Sequence, residues 1–151
     1  MDMTLSVENA EVAGIQSELV KTAVSEVFSG EKVQIGAISV LFVSDDEIKL
    51  VNKKYLNHDF TTDVITFPLN DDPEPVEGEI YVSIDTTRQN SEEFGVTHES
   101  ELLRVIIHGA LHLTGYDDST SKLKSEIKVK EDYYLNLIGE SSVMEDHGEV
   151  Q

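Results

Sequence analysis

Hydrophobic positions along the chain change period several times, and each change marks an element. Leu5 and Val7 alternate with polar neighbours, which predicts a short strand over 3–8. Ile15, Leu19, Ala23, Val24, Val27 and Phe28 recur at helical spacing, so 15–28 reads as an amphipathic helix that Ser29-Gly30 ends. Ile38 and then Val40 to Val43 form a largely β-branched apolar run, the pattern of a buried strand. Ser44-Asp45-Asp46-Glu47 has the spacing of a capping box before a helix over Ile48–Leu56. Val64 to Phe67 reads as a strand stopped by Pro68, and Ile80 to Ile84 as another. The acidic stretch between them reads as a loop, and a helix can continue over 85–94.

Thr97 to Leu113 is the strongest helical segment, capped near Thr97 or His98. Leu102, Leu103, Val105, Ile106, Ala110 and Leu113 cover most of its circumference, which places it centrally in the fold. A last helix is predicted over 121–138. The order βαβαββαα predicts an α/β (α+β-like) fold. A small mixed sheet of about four strands packs with helices around one buried, metal-bearing helix. Residues 1–139 form the single domain and 140–151 an acidic, flexible tail.

The chain has 151 residues, enough for a core without staples, and no cysteine, which excludes disulfides and thiolate sites. No apolar run spans a bilayer and no signal peptide is evident at the N-terminus, so a soluble cytoplasmic protein with no membrane partner is expected. The net charge of −19 comes from 30 acids and 11 bases and disfavours a general nucleic-acid binder. It is unevenly spread. Residues 71–79 hold five acids and residues 140–151 four, whereas Lys53 and Lys54, and Lys122, Lys124, Lys128 and Lys130, form basic clusters.

The central helix carries the chemistry. His108 and His112 stand at i and i+4, one turn apart on one face, so both imidazoles can reach one metal ion. Gly115 can end the helix in a left-handed conformation, and the chain can then return Asp118 as a third ligand. Two histidines and one carboxylate leave an open position, the arrangement of a catalytic zinc site with one Zn2+ per chain. Asp117 reads as an outer partner. Gly109 occupies the place where His-Glu-x-x-His metallopeptidases carry their general base, so a peptidase is disfavoured. His58, His98 and His147 read as surface or capping residues.

The run His108-Gly-Ala-Leu-His112-Leu-Thr-Gly115-Tyr-Asp-Asp118 resembles the signature of the YbeY family, bacterial metal-dependent endoribonucleases linked to ribosomal RNA maturation. A second segment agrees through Asn52, Tyr55, Asp59, Thr62, Asp63, Val64 and Phe67, and Gly78-Glu79-Ile80 resembles a family strand start. The resemblance spans about residues 35–138. It implies a zinc-dependent, single-strand-specific endoribonuclease in ribosomal RNA maturation and ribosome quality control. Its partners would be single-stranded RNA, chiefly small-subunit ribosomal RNA, and ribosomal proteins. In such an enzyme the metal polarises a phosphate oxygen and acidifies a bound water, with Asp63, Asp117 and Arg104 as candidate catalytic residues.

Two positions depart from the family pattern. Its third histidine is Asp118 here, which lowers the charge of the site. Its arginine falls on Leu56, and Lys53, Lys54, His58, Arg88 or Arg104 are the candidate replacements. A second class of function therefore stays open: a metal-stabilised ribosome-assembly factor that binds RNA or a basic ribosomal protein with little catalysis. A metal hydrolase acting on another ester or amide is a third.

Overall fold

The computed structural model describes residues 3–56, 62–70 and 75–145. In chain order the elements are β1 (Thr4–Glu8), α1 (Ala10–Ala13), α2 (Ser17–Gly30), β2 (Ile35–Val43), α3 (Asp45–Leu56), β3 (Val64–Pro68), β4 (Val76–Ser83), α4 (Ile84–Phe94), α5 (His98–Leu113) and α6 (Ser121–Glu145). The strands form one mixed sheet in the order β1-β2-β4-β3. β1, β2 and β4 run parallel, and β3 is an antiparallel edge. This is the α/β architecture expected, with six helices among the described residues.

α5 is the keystone. It packs on α2, α4, α6, β3 and β4. Ten of its sixteen residues are buried, so its position is set on nearly every side by the core. Across from it, Val40 and Phe42 of β2 pair in register with Ile80 and Val82 of β4, all four at most 1% exposed. Burying each such side chain contributes roughly 1.5–3 kcal/mol.

Helix starts follow their local chemistry. Ser44 Oγ accepts from the Glu47 N–H at 3.1 Å while Glu47 Oε1 accepts from the Ser44 N–H at 2.9 Å, the reciprocal capping box the sequence suggests. Thr97 caps α5 by accepting from the Ser100 N–H at 3.1 Å. Ser83 does the same for α4 through Thr86 N–H at 3.0 Å.

Glycine explains three of the boundaries that differ from the sequence reading. The expected loop over 71–79 is strand from Val76 onward. The inner face of β4 alternates Val76, Gly78, Ile80, Val82, but Gly78 carries no hydrophobic signal. It has no side chain because a Cβ there would lie 2.8 Å from Leu113 Cδ2 of α5. β2 likewise begins at Ile35, ahead of Ile38, and Gly36 leaves room for the Val76 carbonyl, 3.1 Å from a Cβ built there. α2 runs two residues past the expected 28 and ends at Gly30, where a Cβ would clash with Tyr134 Oη. The left-handed residue after the helix is Lys32, with φ of 61°, and Val33 N–H closes the end on Phe28 O at 2.9 Å.

The short α1 has no counterpart in the sequence reading. α6 continues to Glu145, beyond the expected end at 138. His58, Asp59, Asp71, Asp72, Glu74, His147 and the last acids of the tail lie outside the described residues. No helix among the described residues is long and apolar enough to cross a membrane.

Candidate metal centre

His108 and His112 project from α5 into an open cleft of about 570 Å³. Asn52 and Leu56 of α3, the run Thr62 to Thr66 and Asp118 line it. The helix spacing accounts for the two imidazoles. The loop after it accounts for the carboxylate. Gly115 takes a φ of 118°, and its N–H donates to His112 O at 3.0 Å. Tyr116 N–H then donates to Leu111 O at 3.1 Å, which bends the chain back toward the helix.

The three donors converge. The Nε2 atoms of His108 and His112 lie 3.0 Å apart. Each is 3.5 Å from Asp118 Oδ2. A tetrahedral ion with bonds of about 2.0–2.2 Å sets nitrogen and oxygen donors about 3.3–3.6 Å apart, so the triangle has the size such an ion needs. His108, His112 and Asp118 thus form a group that could hold a metal ion.

The backs of both rings are tied. His108 Nδ1 donates to Glu131 Oε2 at 2.5 Å, and His112 Nδ1 donates to the Tyr116 carbonyl at 2.9 Å. Both acceptors require a proton on Nδ1, which leaves the Nε2 lone pairs facing the cleft. Two lone pairs at 3.0 Å repel unless a proton or cation lies between them. This pairing of ligand histidine with an outer acceptor is what metal sites use to fix tautomer and ring orientation.

Burial alone would depress the His108 pKa. The Glu131 hydrogen bond and charge, with Asp118 and Asp63, more than offset it and hold the imidazole above its ordinary range. Asp63 lines the same cleft. Burial raises its carboxyl above the ordinary range, against the opposing charge of His108.

The other candidates are placed elsewhere. Asp117 is exposed and accepts from Asp118 N–H at 2.7 Å and Ser119 Oγ at 2.8 Å, which shapes the loop. Hydrogen bonds to Ser119 and Asp118 hold its carboxyl below the usual range. Arg104 donates to Glu131 at 2.9 Å and Asp132 at 2.7 Å on α6, and pairs with neither Glu99 nor Glu101 among the described contacts. Neither Arg104 nor Arg88 lines the cleft, and Leu56 does. Lys54 sits 5.2 Å from the Tyr55 ring centroid. Lys130 binds Glu31 at 3.2 Å and Lys128 approaches Asp132 at 4.0 Å, so part of the α6 lysine cluster is neutralised. His98 bonds Thr87 Oγ1 at 2.9 Å, well away from the cleft.

Glu131, bonded to the back of His108, is the residue at this candidate site that sequence reasoning missed. Its signal was present. Ile127, Glu131, Tyr134 and Ile138 make the buried stripe of α6, and a glutamate 7% exposed in an apolar stripe needs a partner.

A family model described as endoribonuclease YbeY matches residues 3–139. The chain belongs to the endoribonuclease YbeY family. A YbeY relative from Chlorobaculum parvum is 42% identical over 136 residues, covering 90% of this chain and 96% of its own. One from Chlorobaculum tepidum is 41% identical over 133 residues, covering 88% and 96%. A Salinibacter ruber YbeY is 35% identical over 123 residues, covering 76% and 78%. A solution structure from Thermotoga maritima superposes with a TM-score of 0.66 at 35% identity, covering 93% of this chain and 92% of that one. Membership of YbeY makes this chain a nuclease of the hydrolase class.

Proposed function

We propose that this chain is a zinc-dependent endoribonuclease that cuts single-stranded RNA in ribosomal RNA maturation and ribosome quality control, with one Zn2+ held by His108, His112 and Asp118. The observation that carries the reading is the convergence of these three donors in an open cleft, in a chain whose relatives are endoribonucleases. Bound zinc supplies Lewis acidity toward a phosphate oxygen and acidifies a coordinated water. Glu131 and the Tyr116 carbonyl keep the two imidazoles in the ligating tautomer. Asp63 is the candidate to take and return a proton at its carboxylate, because burial lifts its pKa toward the working range. Arg104 acts as a positioning residue through Glu131, and Asp117 as a shaper of the loop.

Small-subunit ribosomal RNA is the proposed substrate. The test is metal analysis and RNA turnover on one purified sample, with a single-stranded oligomer beside its duplex. Cleavage of the single strand that is lost in His108→Ala is expected. A zinc-loaded sample that leaves both RNAs intact rejects the nuclease reading.

One observation favours a second reading. Leu56, exposed at the cleft wall, stands where the family carries an arginine, and the chain is strongly acidic. A factor that docks basic ribosomal proteins with little catalysis would show those features. RNA affinity measured against salt separates the two. A fall of about 0.7 in log affinity per log salt for each neutralised phosphate marks RNA binding through a local basic patch. No RNA binding at low salt favours the protein partner.

A further inference from the structure

The two histidines are held from behind by different means. Glu131 reaches His108 directly, whereas His112 leans on a carbonyl of Tyr116, a residue in the loop between α5 and α6. Much of that loop is exposed: Gly115, Asp117, Ser119 and Thr120 are open to solvent. One side-chain anchor comes from 85 residues earlier in the chain. Tyr116 Oη donates to Glu31 Oε1 at 2.9 Å.

Glu31 is itself well fixed. Its N–H donates to Val27 O at 2.9 Å at the end of α2. Its second oxygen accepts from Tyr134 Oη at 2.6 Å and from Lys130 Nζ at 3.2 Å, both on α6. Tyr134 is 1% exposed, and Gly30 leaves the space its hydroxyl occupies. Burial pushes the Glu31 carboxyl up, but the donors from Tyr134, Tyr116 and Lys130 outweigh it and hold it below the usual range. It is therefore a charged acceptor, which makes each of these hydrogen bonds stronger.

We propose that Glu31 is a positioning residue of the metal centre, which acts through Tyr116 to fix the carbonyl that orients His112 and the return of the loop to Asp118. The proposal rests on the reading of His108, His112 and Asp118 as ligands. It also gives one turn of α6 two jobs. Glu131 holds one histidine, while Lys130 and Tyr134, on either side of it, hold the carboxylate that governs the other.

The full chain is tested by chelator competition for Zn2+ and by the visible spectrum of its Co2+ form. Tyr116→Phe removes only the hydroxyl. It should lower metal affinity by about 10–100-fold, as loss of an outer partner does, and shift the Co2+ bands. Glu31→Ala should do the same, and Glu31→Gln, which keeps an acceptor, should recover much of the loss. Tyr134→Phe breaks a bond to the same carboxylate but leaves the link to the loop. It should lose thermal stability and keep the parent affinity and spectrum. If affinity merely follows thermal stability across the set, or if Tyr116→Phe matches the parent in both readouts, Glu31 has no positioning role. A parent protein that binds neither ion removes the ligand assignment, and this proposal with it. A parent that binds while Tyr116→Phe is unchanged removes this proposal alone.

Discussion

The helical half and the loop half of the candidate metal centre obey different rules. His108 and His112 take their spacing from an α-helix with ten buried residues, so the core fixes them. Asp118 stands on a largely exposed loop whose course depends on Tyr116, through Leu111 O, His112 Nδ1 and Glu31 Oε1. The first half needs only local information. The second needs a partner from a distant part of the chain. Damage should therefore be severe and simple on the helix, and graded on the loop.

The largest effect is expected from the helix. His112→Ala should abolish stoichiometric metal binding, read by metal analysis after dialysis. Retained metal at one per chain would mean that the imidazole is not a ligand.

Next comes the loop carboxylate. Asp118→Ala should lose more affinity than the 10- to 100-fold typical of an outer partner, while Asp118→His should keep the metal and lower the pH at which activity rises. Equal zinc affinity in the parent and Asp118→Ala would take the loop out of the site.

Glu131→Gln ranks third. It keeps the shape of the side chain but loses the charge that faces both His108 and Arg104, so about 10–100-fold weaker metal binding is expected in competition titrations.

Acidity tests the same half without mutation. His108 must be neutral to ligate, and its pKa is raised. Protons should therefore begin to displace the metal above the ordinary imidazole range of about 6.5. The sign reverses for the metal-free protein. A folded pKa above the unfolded one gives stability that is full below the unfolded value and lost as pH rises through the folded one. Thermal melts across that window, with and without chelator, should slope in opposite directions. Parallel slopes contradict the assignment.

Asp117→Ala should have the smallest effect. Its carboxylate faces the loop backbone and Ser119, so metal affinity should stay at the parent value. A loss as large as that of Glu131→Gln would make it an outer partner of the metal.

What could be read from the sequence follows the same division. The i,i+4 histidines, the glycine after them and the returning Asp118 lie within eleven residues, and short-range geometry is what pattern reading captures. The capping box at Ser44 and the central place of α5 were legible for that reason. The start of β4 was hidden because Gly78 sits where a core side chain would announce a strand, and Leu113 fills its place. Glu131 was legible in principle as an acid inside an apolar stripe. Glu31 was not, because nothing near it in the chain marks Tyr116 or Tyr134 as its partners. Arg104 turned to Glu131 and Asp132 on α6, a choice set by how two helices pack, which no local pattern encodes.

Gly109 bears on the chemistry open to this scaffold. A Cβ there would lie 2.9 Å from Cγ2 of the fully buried Ile80 and 3.4 Å from Thr66 Oγ1. The position directly after the first histidine is where helix-borne metallopeptidases place their catalytic glutamate. In this molecule that slot is occupied by the sheet. A glutamate placed there would first have to move the Ile80 side chain beneath the helix. The closeness of α5 to β4 thus reserves this position for a residue without a side chain, and any proton carrier at the site would have to come from another element.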